Sequence, residues 1–119
     1  MYAIDPPMMA RLYSAGLGVE VSEEELMRAG RRAVTLEKCF NVREGATRAD
    51  DKLPWRLMHE ESPDRAGAIN SQQELDGMLD GYYRLHGWDL ATSWPNRQTL
   101  EELDMGDVAE ELGSLGKLP

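Results

Sequence analysis

The sequence predicts an all-α fold, and three patterns in its 119 residues support that class. Two segments open with a capping box, in which a serine and a glutamate three residues later satisfy each other's backbone N–H groups. Apolar residues then recur at spacings of three and four, as on one helix face. No apolar–polar alternation is long enough for a strand. We therefore predict one helical domain over residues 1–119, a small orthogonal bundle with a long irregular connection between its two main helices.

The first main helix is predicted to begin at the capping box of Ser22 and Glu25 and to run to about Arg43, with Gly45 as its stop. A shorter helix precedes it, because Asp5 can cap free N–H groups where two prolines lose no hydrogen-bond partner. The apolar residues of the main helix form one stripe: Leu26, Ala29, Ala33, Leu36 and Phe40.

The second main helix is predicted to begin at Ser71 and Glu74 and to end at Gly87. Gly77 and Gly81 lie opposite its apolar side, either as tolerated surface glycines, which we favour, or as a place for close helix contact. Its apolar side consists of Leu75, Met78, Leu79, Tyr82 and Leu85. Short helices are expected near the C-terminus, with Leu100, Leu103, Val108 and Leu112 as their apolar positions.

The connection over residues 45–70 contains Pro54, Pro63 and the acidic pair Asp50–Asp51, which interrupt any helical period. Connections this long are functional, disordered or wrapped around a neighbour. We favour wrapping, because a large apolar side chain such as Trp55 is unusual in a freely solvated linker. The apolar residues around it can form one short turn that packs onto the helices: Leu53, Trp55, Leu57 and Met58.

The net charge of −9 argues against nucleic-acid binding, since an acidic surface repels phosphates. The single cysteine excludes an internal disulfide and suits a reducing compartment. No apolar run approaches the roughly 20 residues of a membrane span, and the first residues lack the pattern of a signal peptide. The expected location is therefore cytoplasmic.

Cys39, His59 and His86 are isolated in the sequence, whereas a metal site needs at least three convergent ligands. A catalytic Cys39–His59 pair is one alternative. We favour an inert Cys39, buried as a small hydrophobe, because a reactive thiolate needs an electropositive and partly open setting. We therefore predict no catalytic, cofactor-binding or metal-binding residues in this chain.

Four strings in a fixed order carry a family resemblance that spans residues 22–112. They are LEKCFNVREG (36–45), TRADDKLPWR (47–56), LDGMLDGYYRLHGW (75–88) and PNRQTLEEL (95–103). Together they resemble the C-terminal end of the tungsten-containing aldehyde ferredoxin oxidoreductases. Gly77 and Gly81 depart from the pattern, because related sequences carry larger polar residues there.

The resemblance implies a role within a larger enzyme. Enzymes of that family hold tungsten between two pterin dithiolenes beside an iron–sulfur cubane, oxidise aldehydes to carboxylates and pass two electrons to ferredoxin. Clustered cysteines and Asp-x-x-Gly-Leu loops bind these groups there. In this chain Cys39 stands alone, at a position where the family has an ordinary helix residue, and DRAGA (64–68) lacks the leucine and the neighbouring cysteine. The resemblance thus transfers no ligand.

We therefore expect a C-terminal domain or fragment of such an oxidoreductase from an anaerobe, inactive alone and supporting a tungstopterin and iron–sulfur site located elsewhere. Its partners would be the remainder of the enzyme or a separate subunit, with ferredoxin for the full enzyme. One alternative is a stand-alone acidic domain that binds a partner helix in an apolar groove. Another is a small enzyme based on Cys39. The aldehyde, the choice of tungsten or molybdenum, and the oligomeric state stay open.

Overall fold

The computed structural model describes residues 5–61 and 67–119, so Pro63 and most of the DRAGA string lie outside the described residues. Extended pairing within those ranges is limited to an isolated antiparallel bridge between Trp88 and Pro95. The all-α prediction is confirmed. The elements are α1 (Pro6–Leu17), α2 (Glu23–Arg43), a 3-10 turn (Arg48–Asp50), α3 (Trp55–His59), α4 (Gln72–His86), α5 (Arg97–Glu102) and α6 (Gly106–Ser114).

Both predicted capping boxes form. Glu25 accepts a hydrogen bond from the Ser22 backbone N–H at 2.8 Å, and the Ser22 hydroxyl accepts one from the Glu25 N–H at 3.2 Å. Ser71 and Glu74 make the same reciprocal pair at 3.0 and 3.2 Å. These local bonds fix where α2 and α4 begin, and Gly87 ends α4 at a φ of 69°, in the left-handed region that glycine favours.

The chain divides into two compact units, Met1–Glu37 and Lys38–Pro119. In the first, the Ser14 hydroxyl donates to the Ala10 carbonyl at 2.7 Å and accepts from the Val21 N–H at 2.9 Å, which ties the segment after α1 back to that helix. The expectation of one domain over residues 1–119 stays a prediction. No helix in the described ranges has the length and apolar character that crossing a bilayer requires.

The second unit has an apolar core built from the last turns of α2 and the C-terminal helices. Trp94 packs against this core, and its indole N–H donates to the Ala46 carbonyl at 3.0 Å. The predicted apolar positions near the C-terminus are confirmed, with Val108 half-buried at the edge. The buried members are Cys39, Val42, Leu100, Leu103, Met105, Ala109 and Leu112.

The stripe predicted along α2 exists, but most of it is exposed. Leu36 is 50% and Phe40 56% exposed. The buried residues lie one position (Thr35, Cys39) or two positions (Lys38, Val42) from Leu36 or Phe40 along the helix. A shift of one residue rotates a helix face by about 100°. Helical spacing alone therefore predicted the wrong face, because the buried side of α2 includes polar groups.

The apolar side predicted for α4 is divided in the same way. Leu75 is buried and Leu79 half-buried, whereas Met78 is 60% and Leu85 79% exposed. The buried face continues instead through Tyr83, which is 1% exposed. A methyl group built at Gly77 or at Gly81 meets nothing within 4 Å, which agrees with the interpretation of both as surface glycines.

The predicted short turn in the connection forms as α3. Leu53 and Met58 are half-buried, but Trp55 is 66% and Leu57 48% exposed. The expectation that Trp55 packs onto the helices is therefore wrong for the described residues. Its indole instead stacks on the His59 ring of the same helix, with centroids 4.6 Å apart.

Replacing Leu100 with alanine should lower the free energy of unfolding by about 2–5 kcal/mol, because its side chain is fully buried in the core of the second unit. Urea unfolding followed by circular dichroism measures the change. The matched control is Leu36→Ala, which truncates a half-exposed leucine and should cost less than about 1 kcal/mol. Equal losses in the two variants would contradict the assigned core.

Candidate functional site

Cys39 lies in the apolar core and is 3% exposed. Removal from water disfavours the thiolate and raises the pKa of Cys39 to about 11. The thiol is therefore protonated at neutral pH, as expected of an inert buried cysteine.

His59 is occupied locally in α3, where its Nδ1 lies 2.8 Å from the Trp55 carbonyl oxygen. His86 lies at the end of α4, 4.3 Å from the Tyr82 ring and 4.9 Å from the Trp88 ring, measured between centroids. Across residues 5–61 and 67–119, no three histidine, cysteine or carboxylate side chains converge on a point that could hold a metal ion.

Three of the four strings meet instead in a polar network of Lys38, Asp51 and Tyr83. The Lys38 ammonium lies 3.1 Å from the Asp51 carboxylate, and the Tyr83 hydroxyl donates to the same carboxylate oxygen at 2.6 Å. Lys38 is 8% exposed, and the Asp51 side chain is one-third exposed. The network thus joins α2, the connection and α4 at one carboxylate.

Charge and burial act against each other in this network. Burial disfavours the Asp51 carboxylate, but hydrogen bonds from Tyr83 and Lys38 outweigh it and hold the pKa of Asp51 below its ordinary value. Burial, reinforced by the bond to that carboxylate, raises the pKa of Tyr83 to about 12. The ammonium also lies 5.4 Å from the Trp88 ring centroid and 5.9 Å from that of Tyr83, a cation–π arrangement that further compensates its lost hydration.

Arg48 forms the second attachment of the connection. Its guanidinium donates to the Asp80 carboxylate at 2.6 Å and to the Leu90 carbonyl at 2.7 Å, and it lies 5.2 Å from the Tyr83 ring centroid. Its backbone N–H donates to the Thr92 carbonyl at 2.9 Å. The 3-10 turn is thereby held against α4 and the loop that follows it.

Asp50 has a local role beside this network. Its carboxylate accepts a hydrogen bond from the Thr47 backbone N–H at 2.8 Å and so caps the 3-10 turn. The pair Asp50–Asp51, which was predicted only to interrupt helical periodicity, therefore contains one cap and one partly buried salt-bridge partner. The ion pairs Lys38–Asp51 and Arg48–Asp80 therefore hold the connection against α2 and α4. The signal that could have revealed this was Lys38, a charged residue directly beside the core position Cys39.

Residues 1–105 match the family described as "Aldehyde ferredoxin oxidoreductase, domains 2 & 3". The chain belongs to this family. The resemblance carried by the four strings is therefore confirmed.

Individual relatives agree with the family match. The chain is 33% identical over 97 residues to a tungsten-containing aldehyde ferredoxin oxidoreductase of Pyrococcus furiosus, and 32% identical over 100 residues to one of Thermococcus kodakarensis. Each alignment covers 81% of this chain but 16% of the relative. This family member thus spans about one-sixth of the length of the curated relatives it matches.

The chain is also similar to a small part of a larger solved structure. That structure is an active site complex, BamBC, of benzoyl coenzyme A reductase in complex with 1,5-dienoyl-CoA. It superposes on 95% of this chain with a TM-score of 0.77 and 30% identity, and the match covers 16% of that chain. The helical arrangement therefore recurs as a small part of a much larger polypeptide.

Asp51→Asn should lower the free energy of unfolding at pH 7 by about 1–3 kcal/mol, since it removes the charge that Lys38 faces. The difference from wild type should shrink at acid pH. Because the folded pKa lies below the ordinary 3.8, wild type loses this stabilisation as the pH falls from 3.8 through the folded pKa, and the variant has none to lose.

Urea titrations across that pH range measure the effect. The control is Asp76→Asn, which removes a half-exposed carboxylate 3.8 Å from Arg48 and should cost less than about 1 kcal/mol. A penalty for Asp51→Asn that does not change between pH 7 and pH 2 contradicts the assigned charge interaction.

Alkylation of Cys39 by iodoacetamide at pH 8 should be at least about a hundredfold slower in the folded chain than in urea. A pKa raised from 9.0 to about 11 lowers the thiolate fraction by about that factor, and burial also blocks access. Mass spectrometry of quenched samples gives both rates. Similar alkylation rates in the folded chain and in urea would contradict the buried, protonated Cys39 and favour its interpretation as a nucleophile.

Proposed function

We propose that this chain is the C-terminal helical domain of an aldehyde-oxidising oxidoreductase and that it stabilises a tungstopterin and iron–sulfur site held by other polypeptide of the same enzyme. The reaction proposed for the whole enzyme is oxidation of an aldehyde to a carboxylate, with ferredoxin as electron acceptor. The chain alone is proposed to be inactive. Its contribution is to cover and hold the cofactor-bearing part, which keeps water away from the site and its loops in place.

The observation that carries this proposal is the exposure of large apolar side chains in a chain that matches only 16% of its relatives. Leu36 and Phe40, four residues apart on α2, are each at least half exposed, and so is Trp55 on α3. Apolar side chains at the surface of a domain can be buried against the rest of a larger enzyme, which is the role proposed here.

The side chains of the described residues do not fit the cofactors themselves. Iron–sulfur clusters are held by several thiolates, whereas the only thiol here is core residue Cys39, whose pKa is raised. The carboxylate of Asp51 is engaged by Lys38 and Tyr83 and offers no open donor set. This supports placing the redox groups outside the chain, and no step of the reaction is assigned to its residues.

Family membership also favours this role over a stand-alone interaction domain, which would need no relation to an oxidoreductase. The burial of Cys39 argues against a cysteine enzyme for the same reason that it argues against a cluster ligand. Exposed apolar side chains fit both the supporting role and a stand-alone interaction domain, so the family match is what favours the supporting role.

Elemental analysis tests the proposal. The purified chain should contain tungsten, molybdenum and iron at far below one atom per molecule, and the cofactor-bearing polypeptide of the same enzyme should contain them when the two are co-expressed and co-purified. The chain should also oxidise no aldehyde in the presence of ferredoxin, while the co-purified assembly should. Stoichiometric iron or tungsten on the isolated chain would refute the proposal, as would failure of the two polypeptides to associate.

A further inference from the structure

The exposed side of α4 continues into a groove between that helix and α3. Met78, Tyr82 and Leu85 follow one another at spacings of four and three, so they lie on one side of the helix, and they are 60%, 44% and 79% exposed. The groove has a volume of about 1040 Å³, and Leu57, Ile69 and Met78 contribute its apolar lining. We call the surface formed by Leu57, Ile69, Met78, Tyr82 and Leu85 the α4 surface.

The α4 surface leaves open space beside the backbone of Gly77. Gly77 lines the groove, and a methyl group built on it meets nothing within 4 Å. Neighbouring backbone can therefore come close to α4 at this point without a side chain in the way. Met78, at the groove, has a flexible side chain that adapts to a partner surface.

The charge around the groove is predominantly acidic. Glu60, Glu61 and Glu74 line it together with Arg56, and Arg56 is already paired with Glu60 at 2.7 Å. The surplus negative charge favours a partner that carries lysine or arginine beside its apolar residues.

We infer that the α4 surface binds an amphipathic helix of the cofactor-bearing part of the enzyme, a helix with an apolar face flanked by basic residues. The inference rests on the proposed function and names the place where the two parts meet. Two observations select this occupant. Most of the enzyme's length lies outside this chain, since the match covers 16% of each relative, and the acidic groove complements a basic segment.

A second copy of this chain fits less well. Each copy carries a net charge of −9, and pairing two α4 surfaces brings two acidic grooves together. Like charges that face each other across an interface disfavour association and slow encounter.

The test uses the full chain and the tagged cofactor-bearing polypeptide of the same enzyme, mixed after separate purification. The double variant Met78→Glu/Leu85→Glu should weaken binding at least about tenfold, because it places two charges where apolar contact is expected. Leu115→Glu is the matched control: Leu115 is 50% exposed and lies outside the α4 surface, so binding should change less than about twofold. Circular dichroism establishes that both variants remain folded.

The outcomes separate the docking site from the proposed function. Binding weakened by the double variant and not by the control, and reduced by added salt, supports the α4 surface. If the double variant binds as tightly as the wild-type chain, the docking site is wrong and the proposed function is unaffected. No binding by the wild-type chain overturns both. If sedimentation velocity shows a dimer that the double variant abolishes, a second copy is the occupant and the inference is wrong.

Discussion

The ammonium group of Lys38 sets the strongest constraint on the second unit, because a charged residue that is only 8% exposed needs an opposite charge beside it. Asp51 supplies the opposite charge, and Tyr83 orients the same carboxylate by donating to it. A residue from the irregular connection is thereby fixed between two helices. The salt bridge between Lys38 and Asp51 therefore determines the course of the connection as much as apolar packing does.

This arrangement explains how a chain with few apolar core residues holds a long connection in place. Arg48 adds a second anchor through Asp80 and two carbonyl groups of the loop after α4. Partly buried bonds between charged groups have strict geometry, so they specify one arrangement where interchangeable apolar contacts would permit several. Apolar side chains that do not hold the connection, such as Phe40 and Leu85, stay exposed and can contact other polypeptide.

The sequence predicted helix starts well and buried faces poorly. A capping box is a bond between residues three apart, so Ser22 with Glu25 and Ser71 with Glu74 could be recognised without any knowledge of the rest of the fold. The C-terminal core positions were also predictable, because the apolar residues there pack against one another within the second unit. Helical periodicity identifies an apolar face but does not say what covers it.

The α2 stripe shows that limit most clearly. Leu36 and Phe40 have the spacing of core residues, yet Lys38 and Val42 are buried in their place. The network around Asp51 could not be predicted from the sequence either. Lys38 and Tyr83 are 13 and 32 residues away from Asp51, and no local sequence pattern connects them. Only the resemblance to a larger enzyme indicated that apolar residues of this chain could contact other polypeptide, and it said nothing about which residues these are.

Exposed apolar residues also affect how the chain behaves inside a cell. Without the proposed partner, a polypeptide that exposes Trp55, Met78 and Leu85 offers the kind of surface that chaperones and proteases recognise. On the proposed function, copies that lack the partner would be degraded and copies bound to it would persist. The amount of this chain would then follow the amount of its proposed partner through degradation alone.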